Sequence, residues 1–447
     1  MGGGVYPRPV LAAGGVDPSG AAGVAQIAGV ARMLGVYSTL VPTALVVEDT
    51  REGVKRVLPV GDDVLGELIE RAVGEIGEPF VAALSMHPRV EEARTTAKML
   101  RERSALVVYD PVWAASAGGS LVEEPRRVFE VLAREADIVL VNAVEAGELT
   151  GVRVSSVWSA VEAARALIRG YGLLAVVVKG GHGLECRDVL VEHDSYMVVG
   201  EGCVGEGSGA HGTGCVYLGA FAAGLALGLG LEDSARLAWR VASNAVANAR
   251  GGLGARLSWP RVEGYWHEEV VADVERALRL LVEEWGVVER FVPETGLNIV
   301  SVAPLGVDVW AGVEGRVRRG RGRPIYGPVA LRASSHLYRA VRSVQGMGAT
   351  WVRGAVNTVF DERLVACAER LGFTVSMYDR RLEPPEVKRV EGGTIPWGFR
   401  VAMESSEPLV PDVVYHRGDW GKEPMMVYLG STALEAVEKL VRIASCV

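Results

Sequence analysis

The chain of 447 residues is short of lysine: Lys55, Lys98, Lys179, Lys388, Lys422 and Lys439 are all it has, although Lys and Arg together number 47. Arginine therefore carries nearly all the positive charge. A lysine set among glycines stands out against it, as in Lys179-Gly180-Gly181-His182 and Gly421-Lys422-Glu423-Pro424. Cysteine is scarce too: five are present, an odd number without a Cys-x-x-Cys pair. That pattern fits neither a disulfide framework nor a zinc site, so reduced thiols are expected. Basic charge is in deficit, with a net charge of −8, which argues against a general nucleic-acid binder. No apolar run reaches the ~20 residues that a bilayer needs. The opening Met1-Gly2-Gly3-Gly4-Val5 lacks the basic and apolar regions of a secretory leader. These absences point to a cytoplasmic protein with neither membrane nor nucleic acid as partner. What is present suffices for folding: 49% of the residues are apolar, and the length suits two or three domains, each with a core of its own.

The richest junction is His211-Gly212-Thr213-Gly214-Cys215, which runs straight into residues 216–231, where the Tyr217 hydroxyl is the one polar group before Leu231. This predicts a buried helix. The first turn of a helix leaves N–H groups unpaired, and Gly212 and Gly214 allow a charged ligand to approach them. Cys215 would sit in that anion hole with its thiolate favoured by the helix terminus, able to accept a proton from an attacking hydroxyl. The chemistry suggested is phosphoryl transfer. A Gly-rich turn before a core helix, with an inert thiol, is the competing interpretation.

From residue 10 to about 257, short apolar runs alternate with amphipathic stretches, the pattern of a parallel sheet covered by helices. Residues 105–109, 137–141 and 173–178 read as buried strands, and 21–34, 64–74 and 159–169 as helices. The polar residues that follow those strands are Asp110, Asn142 and Lys179, so three strand ends aim side chains at one edge, where ligands of such sheets gather. Beyond Asn248 the chain turns Gly- and Arg-rich, and an acid-rich amphipathic helix is expected over 270–284. The boundary falls near Tyr265.

In the last third, Arg316, Arg318, Arg319, Arg321 and Arg323 crowd into eight residues, and Ala333-Ser334-Ser335-His336 follows a short apolar strand and opens a helix. Guanidinium forks and Ser-Ser at a helix start both suit a diphosphate. His336 could act as a general acid, a base or an electrostatic partner. A solvated basic hairpin or a nucleic-acid patch would also account for the arginines. The clusters Tyr378-Asp379-Arg380-Arg381, Thr394-Ile395-Pro396-Trp397-Gly398 and Gly421-Lys422-Glu423-Pro424 together describe a polar pocket for a charged small molecule.

These motifs match known families over nearly the whole chain. Residues 5–262 resemble hydroxymethylpyrimidine/phosphomethylpyrimidine kinase, of the ribokinase-like fold. The match runs through residues 13–20, 34–37, 43–45, 110–112, Asn142 with Glu145, 179–182 and 211–215. Residues 266–447 resemble the archaeal-type thiamine-phosphate synthase domain, through Gly315-Arg316, Gly327-Pro328, 333–336, 378–381, 394–398 and 421–424. The resemblance implies a three-layer α/β/α domain with a mostly parallel sheet, followed by a smaller α/β domain. It implies ATP- and Mg²⁺-dependent phosphorylation of hydroxymethylpyrimidine phosphate, then displacement of the diphosphate by a thiazole phosphate. By the family, Cys215 is the catalytic base and Gly212 and Gly214 line the anion hole. Asn142, Glu145, Lys179 and Thr213 serve ATP, with Asp110 and Glu145 at the metal. Gly15, Asp17, Glu48 and Leu84 lie at the pyrimidine. In the second domain Arg316 and His336 are the essential pair, with Ser334, Ser335, Arg380 and Lys422 at phosphates. Self-association is also implied.

The departures concentrate at the pyrimidine end: Ile27 stands where the family has an acid, Glu48 for a glutamine, Leu84 for a methionine, and Ser116 and Gly119 for a lysine and an aspartate. Either Glu48 takes over recognition of the aminopyrimidine, or the first domain is inactive or has changed substrate beside an active synthase. For the second domain, a non-catalytic ligand sensor is the alternative.

Overall fold

The computed structural model describes residues 7–49, 52–115, 118–181, 184, 187–200, 202, 210–251, 256–258, 260, 264–390, 392–406, 408–419 and 423–447. They divide into two compact units, Pro7–Glu263 and Gly264–Val447. Among the described residues no helix is long and apolar enough to cross a membrane.

The first unit is built on β1 (Val10–Val16), β2 (Ser38–Asp49), β3 (Gly53–Pro59), β4 (Phe80–Leu84), β5 (Ala105–Tyr109), β6 (Ile138–Asn142), β7 (Ala175–Lys179), β8 (Asp188–Glu192) and β9 (Tyr196–Val199). The sheet order is β3-β2-β1-β4-β5-β6-β7-β8-β9. The strands from β2 to β7 run parallel, and β3, β8 and β9 are antiparallel additions at the edges. Strands such as β4, buried at every residue, read as continuous apolar runs because helices cover both faces. One layer comprises α2 (Asp62–Ile76), α3 (Val90–Arg101), α4 (Pro125–Ala133), α5 (Ala143–Thr150) and α6 (Val157–Tyr171), closing the core around Leu11, Phe80, Phe129 and Val141. The other comprises α1 (Gly23–Met33), α7 (Thr213–Ala226) and α8 (Leu231–Ala247), with α7 packed against α1, α8, β1 and β4.

Helix α7 is apolar on all sides because it is buried on all sides. It is shorter than the apolar run, however. Gly228 takes a left-handed φ of 81°, which ends the helix, and a separate helix begins at Leu231. Neighbouring helices approach it through its glycines: a Cβ on Gly219 would lie 2.6 Å from the Ile27 carbonyl, and one on Gly224 2.8 Å from Ser234 Oγ. Ile27, at the position where the family has an acid, is thus fully buried against α7. Gly119 has φ 100° and packs on Val54 of β3, while Ser116 lies outside the described residues.

In the second unit, a short strand pair from the first, β10 (Arg250–Gly251) and β11 (Arg256–Leu257), gives way to α9 (Tyr265–Glu283), which starts five residues earlier than its pattern suggests. Then follow α10 (Trp285–Val288), β12 (Ile299–Val302), β13 (Trp310–Val313), β14 (Arg318–Arg319), β15 (Pro324–Ile325), β16 (Val329–Leu331) and α11 (Ser335–Gly346). The chain ends with β17 (Gly354–Val359), α12 (Glu362–Arg370), β18 (Val375–Met377), α13 (Pro385–Lys388), α14 (Thr394–Ser406), β19 (Val413–His416), β20 (Met425–Gly430) and α15 (Ala433–Ala444). The main sheet is ordered β16-β13-β12-β17-β20-β19-β18, antiparallel except between β18 and β19. Helices α11 and α14 close one face over Leu337, Val341 and Phe399, and α9 and α15 pack together on the other. Buried Asp273 of α9 joins these layers. Its Oδ2 accepts from Ser301 Oγ in β12 and from the Ala433 N–H at the start of α15, both at 2.7 Å. Against the expectation of reduced thiols, Cys367 and Cys446 form a disulfide that ties α12 to the end of the chain. Cysteine number and spacing carry no sign of it because the partners are 79 residues apart.

Candidate active site

In the first unit, β5, β6 and β7 end side by side, and Asn142 pairs directly with Lys179 in register. Lys179 Nζ lies 2.6 Å from Asp110 Oδ2; the Asp110 side chain is buried and that of Lys179 partly so. Burial pushes the lysine down, but Asp110 and Glu145 together hold it above its usual value. Burial raises Asp110 despite that partner, and raises Glu145 to about 7. Asn142 and Glu145 also form a capping box on α5: Asn142 Oδ1 accepts from the Val144 and Glu145 N–H groups, and Glu145 Oε2 accepts from the Asn142 N–H at 2.8 Å. The three strand ends therefore converge as their sequence suggests, with two residues fixed by local capping.

The amino end of α7 faces this pair. Gly212 has φ 85°, and a Cβ there would collide with the Ala21 carbonyl, so glycine is required twice over. A Cβ on Gly214 would point to within 3.8 Å of Asp110 Oδ2. Thr213 Oγ1 is committed to the Ala210 carbonyl at 2.7 Å. Cys215 Sγ accepts from the Gly23 N–H at 3.2 Å. Burial nevertheless pushes its thiol up to about 12, with Asp110 adding to the rise. Burial thus opposes the thiolate expected at a helix terminus.

Next to it, His211 Nε2 lies 3.0 Å from Asp17 Oδ2, and Asp17 Oδ1 accepts from the Ser19 N–H. Burial alone would raise Asp17, but His211 and Ser19 hold it below the usual range. The Asp17 contact in turn raises His211. Glu48 joins these two within 4.8 Å, is raised by burial, and has Oε1 without a hydrogen-bond partner among the described residues. Gly15 borders this region against Met86, whereas Leu84 is fully buried in the core; Met86, two residues on, is the methionine that reaches the glycine. Sequence reasoning missed Asp188 of β8. It accepts from the Gly180 N–H at 2.8 Å, behind Lys179, and burial raises it to about 6.

In the second unit a cavity of about 440 Å³ is lined by Arg316, Arg318, Arg332, Ser334, Ser335 and His336 among others. Three of its residues, Arg316, Arg332 and Ser334, are non-glycines at left-handed φ of 66°, 61° and 61°. Such strain collects at functional sites. A Cβ on Gly312 would lie 3.0 Å from both the Ala333 carbonyl and Ser334 Cβ, so the 332–334 turn is pressed onto the sheet. Ser334 Oγ is buried without a partner among the described residues. Burial, then Arg316 and Arg339, push His336 down to about 4, and the Asn357 side chain holds it. Asn357 Oδ1 also accepts from the Asn298 N–H at 2.8 Å. Neither Arg332 nor the two asparagines carries a sequence signal.

Only part of the arginine run lines the cavity. Strands β14 and β15 form a hairpin, Arg319 donates to the Val292 carbonyl at 2.7 Å, and Arg321 and Arg323 are exposed. The solvated-hairpin interpretation thus holds for the tip. Arg380 lies beside Tyr378 and His416, in a second cluster, and Lys422 is outside the described residues.

Comparison with known proteins divides the chain in the same order. Residues 17–256 match the phosphomethylpyrimidine kinase family and residues 273–442 match thiamine-phosphate synthase ThiN. The bifunctional thiamine biosynthesis protein ThiDN of Methanocaldococcus jannaschii is 26% identical over 441 residues, 96% of this chain and 97% of its own. Thiamine-phosphate synthase ThiN of Methanothermobacter thermautotrophicus is 39% identical over 183 residues, 39% of this chain and 91% of its own. Among solved structures, the pyridoxal kinase from Staphylococcus aureus in complex with ADP is 23% identical, with a TM-score of 0.50 over 57% of this chain and 93% of that one, a likeness of fold.

Proposed function

The chain belongs to the phosphomethylpyrimidine kinase family through its first unit and to the ThiN thiamine-phosphate synthase family through its second, and we infer that both reactions run on one polypeptide. It is a bifunctional enzyme of thiamine biosynthesis. Residues 5–262 phosphorylate hydroxymethylpyrimidine phosphate with ATP, and residues 266–447 couple the diphosphate with thiazole phosphate. The observation that carries the kinase assignment is the meeting of Asp110, Glu145 and Lys179 with the amino end of α7.

Asp110 Oδ1 is buried without a partner among the described residues, and Glu145 acts on the same lysine, so the pair fits a magnesium ion. Bound there, magnesium would offset charge on the transferring phosphate. Lys179 meets the nucleotide phosphates, and the N–H groups after Gly212 receive the transferred group. Glu48, with its unpartnered oxygen, accepts from the amino group of the pyrimidine, and Gly15 and Asp17 frame that pocket.

The charge of the acceptor itself changes the role expected of Cys215. The attacking atom of a phosphate monoester is already ionised at neutral pH, since the second phosphate pKa is about 6. That step needs no base, and Cys215 remains a thiol lining the hole. A base is needed only if the unphosphorylated alcohol is the acceptor. In the second unit, Arg316, Ser334 and Ser335 hold the diphosphate. Its arrival would raise His336 from about 4, so that the imidazolium could donate to the departing group.

The test is an assay of the full chain with ATP, Mg²⁺ and hydroxymethylpyrimidine phosphate, then with thiazole phosphate, reading diphosphate and thiamine phosphate by mass. Both products are expected; absence of the diphosphate would remove the kinase assignment. Cys215→Ala is expected to lower phosphorylation of the monophosphate less than about tenfold, the scale of one hydrogen bond. A loss of thousands would restore Cys215 as the base.

A further inference from the structure

The pocket predicted from residues 378–381 and 394–398 has not been used by the reactions above. Tyr378 follows β18 and is 2% exposed, yet its hydroxyl has no hydrogen-bond partner among the described residues, and neither has the buried Nε of Arg380. Arg380 has no carboxylate partner among them either, whereas Arg381 is held by Asp379 at 2.6 Å. The Tyr378 ring is pinned over Gly398, where a Cβ would collide with it. Trp397 meets that ring edge-on at 6.0 Å, and His416 lies 5.2 Å away. Glu383, buried, accepts from Thr394 Oγ1 at 2.6 Å. The charge of Arg380 acts on both Tyr378 and His416. Arg339, whose charge acts on His336 of the Arg316 cavity, lies against Gly392, two residues before α14.

We propose that Tyr378, Arg380, Glu383 and Trp397 form the acceptor subsite of the second unit, binding the thiazole phosphate, a monophosphate ester on a heteroaromatic ring. This rests on reading that unit as the synthase. The arginine-lined cavity matches the diphosphate, so the second substrate needs one cation for its phosphate and aromatic faces for its ring. Arg380 Nε and the Tyr378 hydroxyl supply the first, and Tyr378 and Trp397 the second. The reaction itself accounts for the carboxylate. The lone pair of the ring nitrogen forms a bond to the methylene carbon, the C–O bond to the diphosphate breaks with its electron pair going to the diphosphate oxygen, and no proton leaves the acceptor. The ring is left as a fixed cation. Glu383 and the aromatic faces stabilise that charge as it appears, more than they stabilise the neutral ring.

Titration calorimetry of thiazole phosphate into the full chain, with inorganic diphosphate present to fill the Arg316 cavity, reads the subsite directly. Arg380→Gln is expected to weaken binding about thirtyfold and Tyr378→Phe, which keeps the ring, about fivefold, with KM for the pyrimidine diphosphate changed less than about twofold. Glu383→Gln is expected to leave thiazole phosphate affinity within about threefold and lower kcat about a hundredfold, because the cation exists only as the bond forms. Unchanged affinity in both Arg380→Gln and Tyr378→Phe, or a loss confined to the diphosphate, overturns the subsite. A wild-type chain that forms no thiamine phosphate from the two substrates overturns the reading of the unit instead.

Discussion

The two clefts arrange their charges by different means. In the first unit the cation that would meet a phosphate, Lys179, is paired with Asp110 and acted on by Glu145, and the proposed anion hole is made of backbone. In the second, Arg316, Arg318 and Arg332 face a common cavity with one carboxylate, Glu314, among its lining residues, and Arg316 and Arg332 sit on strained backbone. One cleft holds its cation beside two carboxylates; in the other the arginines outnumber the carboxylate. Removing the cation should therefore affect stability in opposite ways.

That contrast gives the largest predicted effects. Lys179→Met leaves two buried carboxylates without their counter-charge, so the kinase activity should fall by at least about 10³-fold and the first unit should lose stability, by roughly 3 kcal/mol if the carboxylates stay ionised. Arg316→Gly should abolish thiamine phosphate formation to a similar extent while leaving the second unit as stable or slightly more so, because glycine fits the left-handed φ of 66°. Parallel activity assays and urea midpoints check both. A destabilised Arg316→Gly would mean that the arginine is a structural tie, through the bond from its Nη1 to the Thr295 carbonyl, more than a ligand for phosphate.

How much of this was legible in sequence differs between the two regions for the same physical reason. The first site is assembled from strand ends and a helix start. Periodicity places these, so Asp110, Asn142, Lys179 and the 211–215 junction could be read in advance. What escaped depends on side-chain environment: Ile27 faces the core, Met86 rather than Leu84 meets Gly15, and burial pushes the Cys215 thiol up. The second site is assembled from turns, and no periodicity reports which arginines turn inward. Arg316 and Arg318 do, Arg319 is absorbed by loop carbonyls, and Arg321 and Arg323 face solvent. The turn that presents Arg332 runs on into Ala333 and Ser334, which lie close against Gly312 of the neighbouring strand.

A smaller effect should separate the clefts in salt. Charges open to solvent are screened within a Debye length of about 8 Å at physiological ionic strength, whereas a buried pair is screened much less. Raising potassium chloride from 0.05 to about 0.5 M should increase KM for the pyrimidine diphosphate about tenfold, and KM for ATP by no more than about threefold. Equal salt dependence would show that Lys179 is released to solvent before ATP binds, and the contrast between a neutralised and an open cleft would fail.

The smallest effect is on acid stability, and its sign follows from which groups each unit buries. In the second unit His336 and His416 are both pushed down to about 4 by burial. Their contribution is present above the unfolded value of about 6.5 and is lost as pH falls toward 4, because the unfolded chain takes up protons that the folded one refuses. The first unit has one such group, His87, also near 4. It also has Glu145 raised to about 7 and Asp188 to about 6, which act in the opposite sense: their folded forms bind protons more readily, so acidification relieves them. Between pH 7 and 5 each buried histidine should cost roughly 2 kcal/mol, offset in the first unit and not in the second. Pulse proteolysis across a urea series at the two pH values, with fragments assigned by mass, should show the second unit's midpoint falling further. A larger fall in the first unit would mean that Glu145 and Asp188 are ionised in the folded chain at neutral pH, and with them the claim that its cleft is neutralised from within.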